Sequence, residues 1–172
     1  MNNLLELEPK EVFAIFDEIT RIPRPSKHEE RISQWLQSFA KEHNIECVAD
    51  EAMNVIMRVP ATPGYESHPG LILQGHMDMV PQKNADVCHN FETDPIETWV
   101  DGDWLKAKGT TLGADNGLGV AMALSILESK DIKHGPLELL VTYDEETGMT
   151  GAGALKSGVL NGDILINLDS ES

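Results

Sequence analysis

The chain has few basic residues, no long apolar run and no recognisable leader, and each shortage excludes a class of protein. Only 13 of its 172 residues are Lys or Arg, against 29 Asp or Glu, so the formal net charge is −16. Such an acidic chain is not expected to bind nucleic acid or an anionic membrane surface. No apolar stretch approaches the roughly 20 residues of a membrane-spanning helix. Residues 1–6 also lack the basic and apolar regions of a secretory signal.

Cysteine is equally scarce. Cys47 and Cys88 lie far apart and form no Cys-x-x-Cys pair. The sequence therefore predicts neither a disulfide framework nor a thiolate metal site, and it suits a reducing compartment. We expect a cytoplasmic protein.

Apolar spacing in the first third of the chain predicts two helices and a pair of strands. Residues 9–19 carry apolar side chains at helical spacing, and Pro23 and Pro25 must break that helix. Ser26 and Glu29 have the spacing of a capping box, so a second helix is expected to follow them directly. Short strands are predicted at 45–48 and 54–59.

The rest of the chain alternates between strands and helices. Residues 70–75 and 137–143 are almost wholly apolar, which predicts strands buried on both faces. A hairpin is expected at 99–105, helices at 116–128 and 151–158, and a last strand at 163–168. This order predicts an α/β fold, with a mixed, mostly parallel sheet flanked by helices.

Four short segments combine residue types that bind metals with positions at strand ends or helix starts. Ligands of such sheets bind beyond the carboxyl ends of the strands. The side chains in question are His76, Asp78, Asp115, Glu145, Glu146 and Asp169.

Each segment alone has an ordinary structural explanation. His76 and Asp78 would point to one side of an extended segment and simply hydrogen-bond each other. Asp115 would act as a first-turn helix acid, and the two glutamates as a solvated turn. Together, however, an imidazole and several carboxylates without sulfur favour Zn, Mn or Co in an open catalytic site. Of two adjacent glutamates, one can bind metal while the other accepts a proton from metal-activated water.

Longer stretches around these residues resemble the aminoacyl-histidine dipeptidases, which are Xaa-His, carnosinase-like zinc metallopeptidases. The similar stretches are 22–26, 75–83, 93–96, 109–117, 145–149 and 164–170, and the resemblance extends over essentially the whole chain. It implies a site with two zinc ions, and a cis peptide after Asp115. The implied roles are zinc binding by His76 and Asp169, bridging of both ions by Asp115, binding of the second zinc by Glu146, general-base action by Glu145, and orientation of His76 by Asp78.

Members of this family continue well beyond residue 172, with a lid or dimerisation domain and then a second catalytic segment. That later segment carries another zinc-binding histidine. We therefore expect residues 1–172 to be the first segment of the catalytic domain, with those later parts absent. The remaining histidines are interpreted as surface or loop residues: His28, His43, His68, His89 and His134.

The resemblance implies hydrolysis of dipeptides, chiefly Xaa-His, with two zinc ions per full-length subunit, Mn or Co being possible substitutes. It also implies a homodimer for the full-length protein, whereas the 172-residue chain alone is expected to be inactive. The alternatives are a related two-zinc tripeptidase, deacylase or carboxypeptidase, or a non-catalytic metal-binding fragment. A calcium-binding protein is less favoured because the acidic Asp-x-Asp-x-Asp-Gly loop is missing.

Overall fold

The computed structural model describes residues 4–169. A 3₁₀ turn, Leu4–Glu6, precedes helix α1, Lys10–Thr20, and helix α2, Glu30–Glu42. Pro9 is the N-cap residue of α1, where its missing N–H costs no helical hydrogen bond. The apolar side chains of α1 and α2 are buried on one side of each helix, as their spacing predicts.

The predicted capping box at Ser26 and Glu29 is wrong. Helix α2 begins at Glu30, so Ser26 lies too far from its first turn. The Ser26 hydroxyl instead donates a hydrogen bond to Asp78 Oδ2 at 2.8 Å. Glu29 is buried and accepts a hydrogen bond from the Asp144 N–H at 2.9 Å. Tertiary partners have replaced the local ones in both cases.

Five strands form one mixed sheet: β1 Glu46–Ala49, β2 Val55–Val59, β3 Leu71–His76, β6 Leu137–Thr142 and β7 Ile164–Asn167. Their order across the sheet is β1-β2-β6-β3-β7. Strands β1 and β2 pair with each other in antiparallel fashion, and β2 pairs antiparallel with β6. Strand β3 lies parallel to both β6 and β7.

The remaining elements connect these strands. Strands β4, Thr98–Asp101, and β5, Trp104–Ala107, form the predicted hairpin as a separate two-stranded sheet. Helix α3, Ala114–Glu128, joins β3 to β6, although Asp115 and Asn116 at its start have non-helical dihedrals. Two short helices, α4, Glu145–Gly148, and α5, Thr150–Ala154, follow β6. The helix expected over 151–158 therefore begins earlier and is shorter.

The main core lies between the sheet and helices α1, α2 and α3. On the other face, Ile56, Ile72 and Leu140 pack against the segment 155–160. Strand β6 is buried along its whole length, which confirms the expectation from its apolar sequence. Strand β7 is equally apolar, but its four residues are exposed because, within residues 4–169, it lies at the edge of the sheet. Within residues 4–169, no helix has the length and apolar character needed to span a membrane.

The topology brings the predicted site residues to one edge. Because β3, β6 and β7 are parallel, their carboxyl ends meet at the same edge of the sheet. The chain moves from β3 to β6 on one side and then to β7 on the other, which is the kind of crossover beside which ligands bind in α/β sheets.

Candidate metal centre

A buried imidazole stands at the centre of the site. His76 ends β3 and is 1% exposed, and its Nδ1 lies 3.1 Å from Asp78 Oδ1. This contact orients the ring and leaves Nε2 directed to the opposite side. A metal-binding histidine commonly has such a carboxylate on its other nitrogen.

Three carboxylates from separate parts of the chain converge on His76 Nε2. The distances are 3.0 Å to Asp115 Oδ1, 3.8 Å to Asp169 Oδ2 and 4.0 Å to Glu145 Oε2. Two groups offer ligand atoms that all lie within 4.8 Å of one another: His76 with Glu145 and Asp169, and His76 with Asp115 and Glu146. All six residues predicted as site residues are thus brought together. Among the described residues, His76 is the one histidine in these groups.

The charges in the cluster are unbalanced in a way that suits divalent cations. Burial alone lowers the pKa of His76, but its contacts with Asp78 and Asp115 outweigh burial and raise that pKa to about 9. Desolvation raises the pKa of Glu145 and of Glu146, and repulsion by Asp115 contributes to both shifts. A metal ion would relieve this repulsion, and imidazole with carboxylates is the donor set of an open zinc or manganese site. The residues present therefore fit a metal centre.

Asp78 connects His76 to the turn that carries the two glutamates. Its carboxylate accepts hydrogen bonds from Ser26 and from the N–H groups of Glu145, at 3.1 Å, and Glu146, at 3.2 Å. Although burial opposes it, the contacts with His76, Ser26 and the Glu145 N–H lower the pKa of Asp78. An ionised Asp78 thus holds His76 and the glutamate turn together.

A second layer of acids lies behind the glutamate turn. Glu29 Oε1 accepts the Asp144 N–H, and the hydroxyls of Thr147 and Thr150 donate to the Asp144 carboxylate. Glu29, Asp78 and Asp144 are close enough to form a third possible metal-binding group, and all three are buried. Because the Asp78 and Asp144 oxygens already accept hydrogen bonds, we assign this group to support of the turn. The sequence predicts Glu29 only as part of a helix cap, and Asp144 is not among the predicted site residues.

Sequence reasoning also missed Asn116. Its Oδ1 accepts the His76 N–H at 3.3 Å, and its Nδ2 donates to the Leu168 carbonyl at 3.0 Å. The side chain thereby joins the end of β3 to the residue before Asp169. A Cβ on Gly75 would lie 2.2 Å from Asn116 Oδ1, so this close approach requires glycine. The Asp115–Asn116 peptide is cis, as the resemblance implied.

The chain is similar to known dipeptidases in sequence and in structure. The chain is 48% identical to the cytosol non-specific dipeptidase of Escherichia coli over 171 residues, which are 99% of this chain and 35% of that protein. Its structure matches the crystal structure of aminoacylhistidine dipeptidase from Vibrio alginolyticus with a TM-score of 0.96, and the two sequences are 53% identical. That match covers 98% of this chain and 34% of the other.

A more distant likeness is to a tripeptidase from Staphylococcus aureus. Its structure matches with a TM-score of 0.79 at 25% identity, over 95% of this chain and 44% of that one. The chain thus spans about a third of the length of its two more similar relatives.

The family model of peptidase family M20/M25/M40 matches residues 72–169, which is more than half of the chain and runs from β3 through the end of β7 to Asp169. These are the strands whose ends carry the converging side chains. The chain therefore belongs to peptidase family M20/M25/M40.

Proposed function

We propose that this chain is the first segment of the catalytic domain of a metal-dependent dipeptidase. The convergence of three carboxylates on the Nε2 atom of one buried histidine carries this proposal. In the complete protein, a lid or dimerisation domain and a second catalytic segment would follow. The proposal is supported by the 35% share of the Escherichia coli relative that this chain spans.

The proposed ligands are His76 and Asp169 for one zinc, Asp115 as the bridge, and Glu146 for the second zinc. Mn or Co are possible substitutes, because their ligand preferences overlap with those of zinc. A histidine from the second catalytic segment of the complete protein would complete the site of the second zinc. Bound zinc would activate a water molecule and polarise the carbonyl of the scissile peptide bond.

Glu145 is the proposed general base. Its Oε2 lies 4.0 Å from His76 Nε2, and its N–H donates a hydrogen bond to Asp78. Its carboxylate therefore faces the cluster from the start of α4. A carboxylate in this place can accept a proton from water and return it to the leaving amine. Asp78 would keep the His76 ring fixed throughout.

The proposed substrates are dipeptides, chiefly with C-terminal histidine. The name of the Vibrio alginolyticus relative supports this preference, while that of the Escherichia coli relative describes a non-specific dipeptidase. The name of the latter also supports a cytoplasmic location. A homodimer is proposed for the full-length protein, and the 172-residue chain alone is proposed to be inactive because part of the site lies elsewhere.

The test is Glu145→Gln in the complete protein, assayed with Xaa-His dipeptides. We expect kcat to fall about 100-fold or more, the usual contribution of a general base, while zinc content stays near two per subunit. Glu42→Gln, an exposed change at the end of α2, serves as the control. Near-normal turnover in Glu145→Gln would refute the assignment of the base.

A substrate panel separates the related functions. Other dipeptides, tripeptides and N-acyl amino acids would be compared with Xaa-His dipeptides by kcat/KM. The tripeptidase likeness makes tripeptides the main rival. A kcat/KM for tripeptides above that for every dipeptide would replace the dipeptidase proposal. Cleavage by residues 1–172 alone would overturn the proposed inactivity of the segment.

A further inference from the structure

A buried arginine lies behind the metal centre. Arg24 is 2% exposed, although it sits between Pro23 and Pro25 in the connection from α1 to α2. Its Nη1 donates to the carbonyls of Met77, at 3.1 Å, and Asp78, at 3.0 Å. Its Nη2 donates to the Gly113 carbonyl. All three acceptors belong to the backbone.

These acceptors lie in the two segments that carry His76, Asp78 and Asp115. One guanidinium therefore bridges the end of β3 and the turn that begins α3. The Arg24 carbonyl also accepts the Met79 N–H at 3.1 Å, so the main chain attaches to the same segment. A lysine has a single ammonium in place of this planar fork and cannot reproduce the bridge.

Two glycines leave room for the guanidinium. A Cβ on Gly113 would lie 2.6 Å from Arg24 Nη2, and a Cβ on Gly117 would lie 2.5 Å from it. These glycines flank Asp115. The absence of a side chain at both positions accommodates the Arg24 guanidinium.

The charge of Arg24 acts on the same residues. Desolvation lowers its pKa to about 10, against the opposing influence of Asp78, Asp115 and Glu146, so it stays charged at neutral pH. A buried cation beside these carboxylates reduces their mutual repulsion.

From these contacts we propose that Arg24 is a positioning residue of the metal centre. Its guanidinium fixes the distance between the His76–Asp78 segment and Asp115, and its charge holds the carboxylates together before metal binds. This inference rests on the proposed function, since it assumes that these side chains bind metal. Partners behind the ligands of a metal site typically contribute 10–100-fold to affinity.

The test is Co²⁺ titration of the complete protein, followed by visible absorption, for wild type, Arg24→Gln and Arg24→Lys. We expect Co²⁺ affinity to fall roughly 10–100-fold in Arg24→Gln and less in Arg24→Lys, which keeps the charge but loses the fork. The absorption band per bound ion should also change, because the ligands are displaced. A role in folding alone would leave that band unaltered. Arg21→Gln, an exposed arginine on the same connection, is the control.

A second pair of variants decides the case if Arg24→Gln does not fold. Gly117→Ala keeps the arginine but places a methyl group against Nη2, and against Phe16 Cε2 at 3.2 Å. Gly153→Ala in α5 is its matched control, because a Cβ there meets nothing within 4 Å. We expect weaker Co²⁺ binding in Gly117→Ala and unchanged binding in Gly153→Ala.

The outcomes separate this inference from the proposed function. Wild-type protein that binds no Co²⁺ would refute the metal centre, and the inference with it. Wild-type protein that binds Co²⁺ while folded Arg24 variants bind within twofold of it would overturn the inference alone. If Arg24→Gln is unfolded, equal binding by Gly117→Ala and Gly153→Ala has the same meaning.

Discussion

Strands β6 and β7 lie on opposite sides of β3, and acidic residues follow both strands at the carboxyl end of the sheet. The environments of the two strands differ. Every residue of β6 is buried, whereas every residue of β7 is exposed. Strand β6 has β2 and β3 as neighbours and apolar layers on both faces, while β7 pairs with β3 at the edge. Two strands of similar apolar sequence thus differ in burial within residues 4–169, because they differ in the number of elements packed against them there.

The supports of the two acidic ends differ in the same way. Glu145 and Glu146 follow β6 in a turn held by Asp78 and Glu29. Asp169 follows β7 in a segment held mainly by backbone contact to Gln74 and by Asn116. The β6 side of the centre is thus anchored in the core, and the β7 side is anchored through a few polar contacts.

The largest expected difference between the two strands is in core stability. Leu139 in β6 is completely buried, so Leu139→Ala should lower the free energy of unfolding by about 2–5 kcal/mol. Leu165 in β7 is 51% exposed within residues 4–169, and Leu165→Ala should change that free energy by less than about 0.5 kcal/mol in the 172-residue chain. Urea unfolding of the two variants of this chain measures both values. Equal losses would show that β7 is buried in solution.

A second prediction concerns the turn after β6 and its dependence on pH. Desolvation raises the pKa of Glu29 to about 7, despite the hydrogen bond from Asp144, and its Oε2 has no partner within residues 4–169. The folded state therefore retains the Glu29 proton to higher pH than the unfolded state, and stability falls as pH rises from about 4.5 to about 7. Glu29→Gln cannot ionise and escapes this loss.

Relative to wild type, Glu29→Gln should gain about 1–3 kcal/mol of unfolding free energy between pH 4.5 and pH 8. Urea unfolding of metal-free protein at both pH values provides the measurement. Glu30→Gln, the exposed neighbour, is the control and should show no comparable gain. A constant difference between Glu29→Gln and wild type across this range would contradict the assignment.

A third prediction concerns the polar contacts on the β7 side. Asn116→Ala removes the link between His76 and Leu168 and leaves the buried His76 N–H and the half-buried Leu168 carbonyl without that partner, which should cost about 1–2 kcal/mol of unfolding free energy. Gln74→Ala, a half-buried change on β3, should cost less. Urea unfolding again compares them. A larger loss in Gln74→Ala would mean that β7 is held chiefly through Gln74.

Much of the fold followed from local patterns. Both long N-terminal helices, the buried β6 and the hairpin were predicted to within a few residues, because apolar periodicity and turn residues act over short distances. The capping box at Ser26 was wrong because a buried aspartate, Asp78, competes for the same hydroxyl. That competitor lies 52 residues away, where no local rule applies.

The sequence by itself determined which side chains stand at strand ends, and hence that His76 and the acids after β6 and β7 would share one edge. Only the tertiary structure decided which polar groups are buried behind them. Arg24, Glu29 and Asn116 look like loop, cap and helix residues in sequence, yet each contacts segments far along the chain. Whether a polar or charged side chain is buried depends on all the elements packed around it. A short stretch of sequence therefore does not show the burial of these residues or the resulting shifts in the pKa of Arg24 and Glu29.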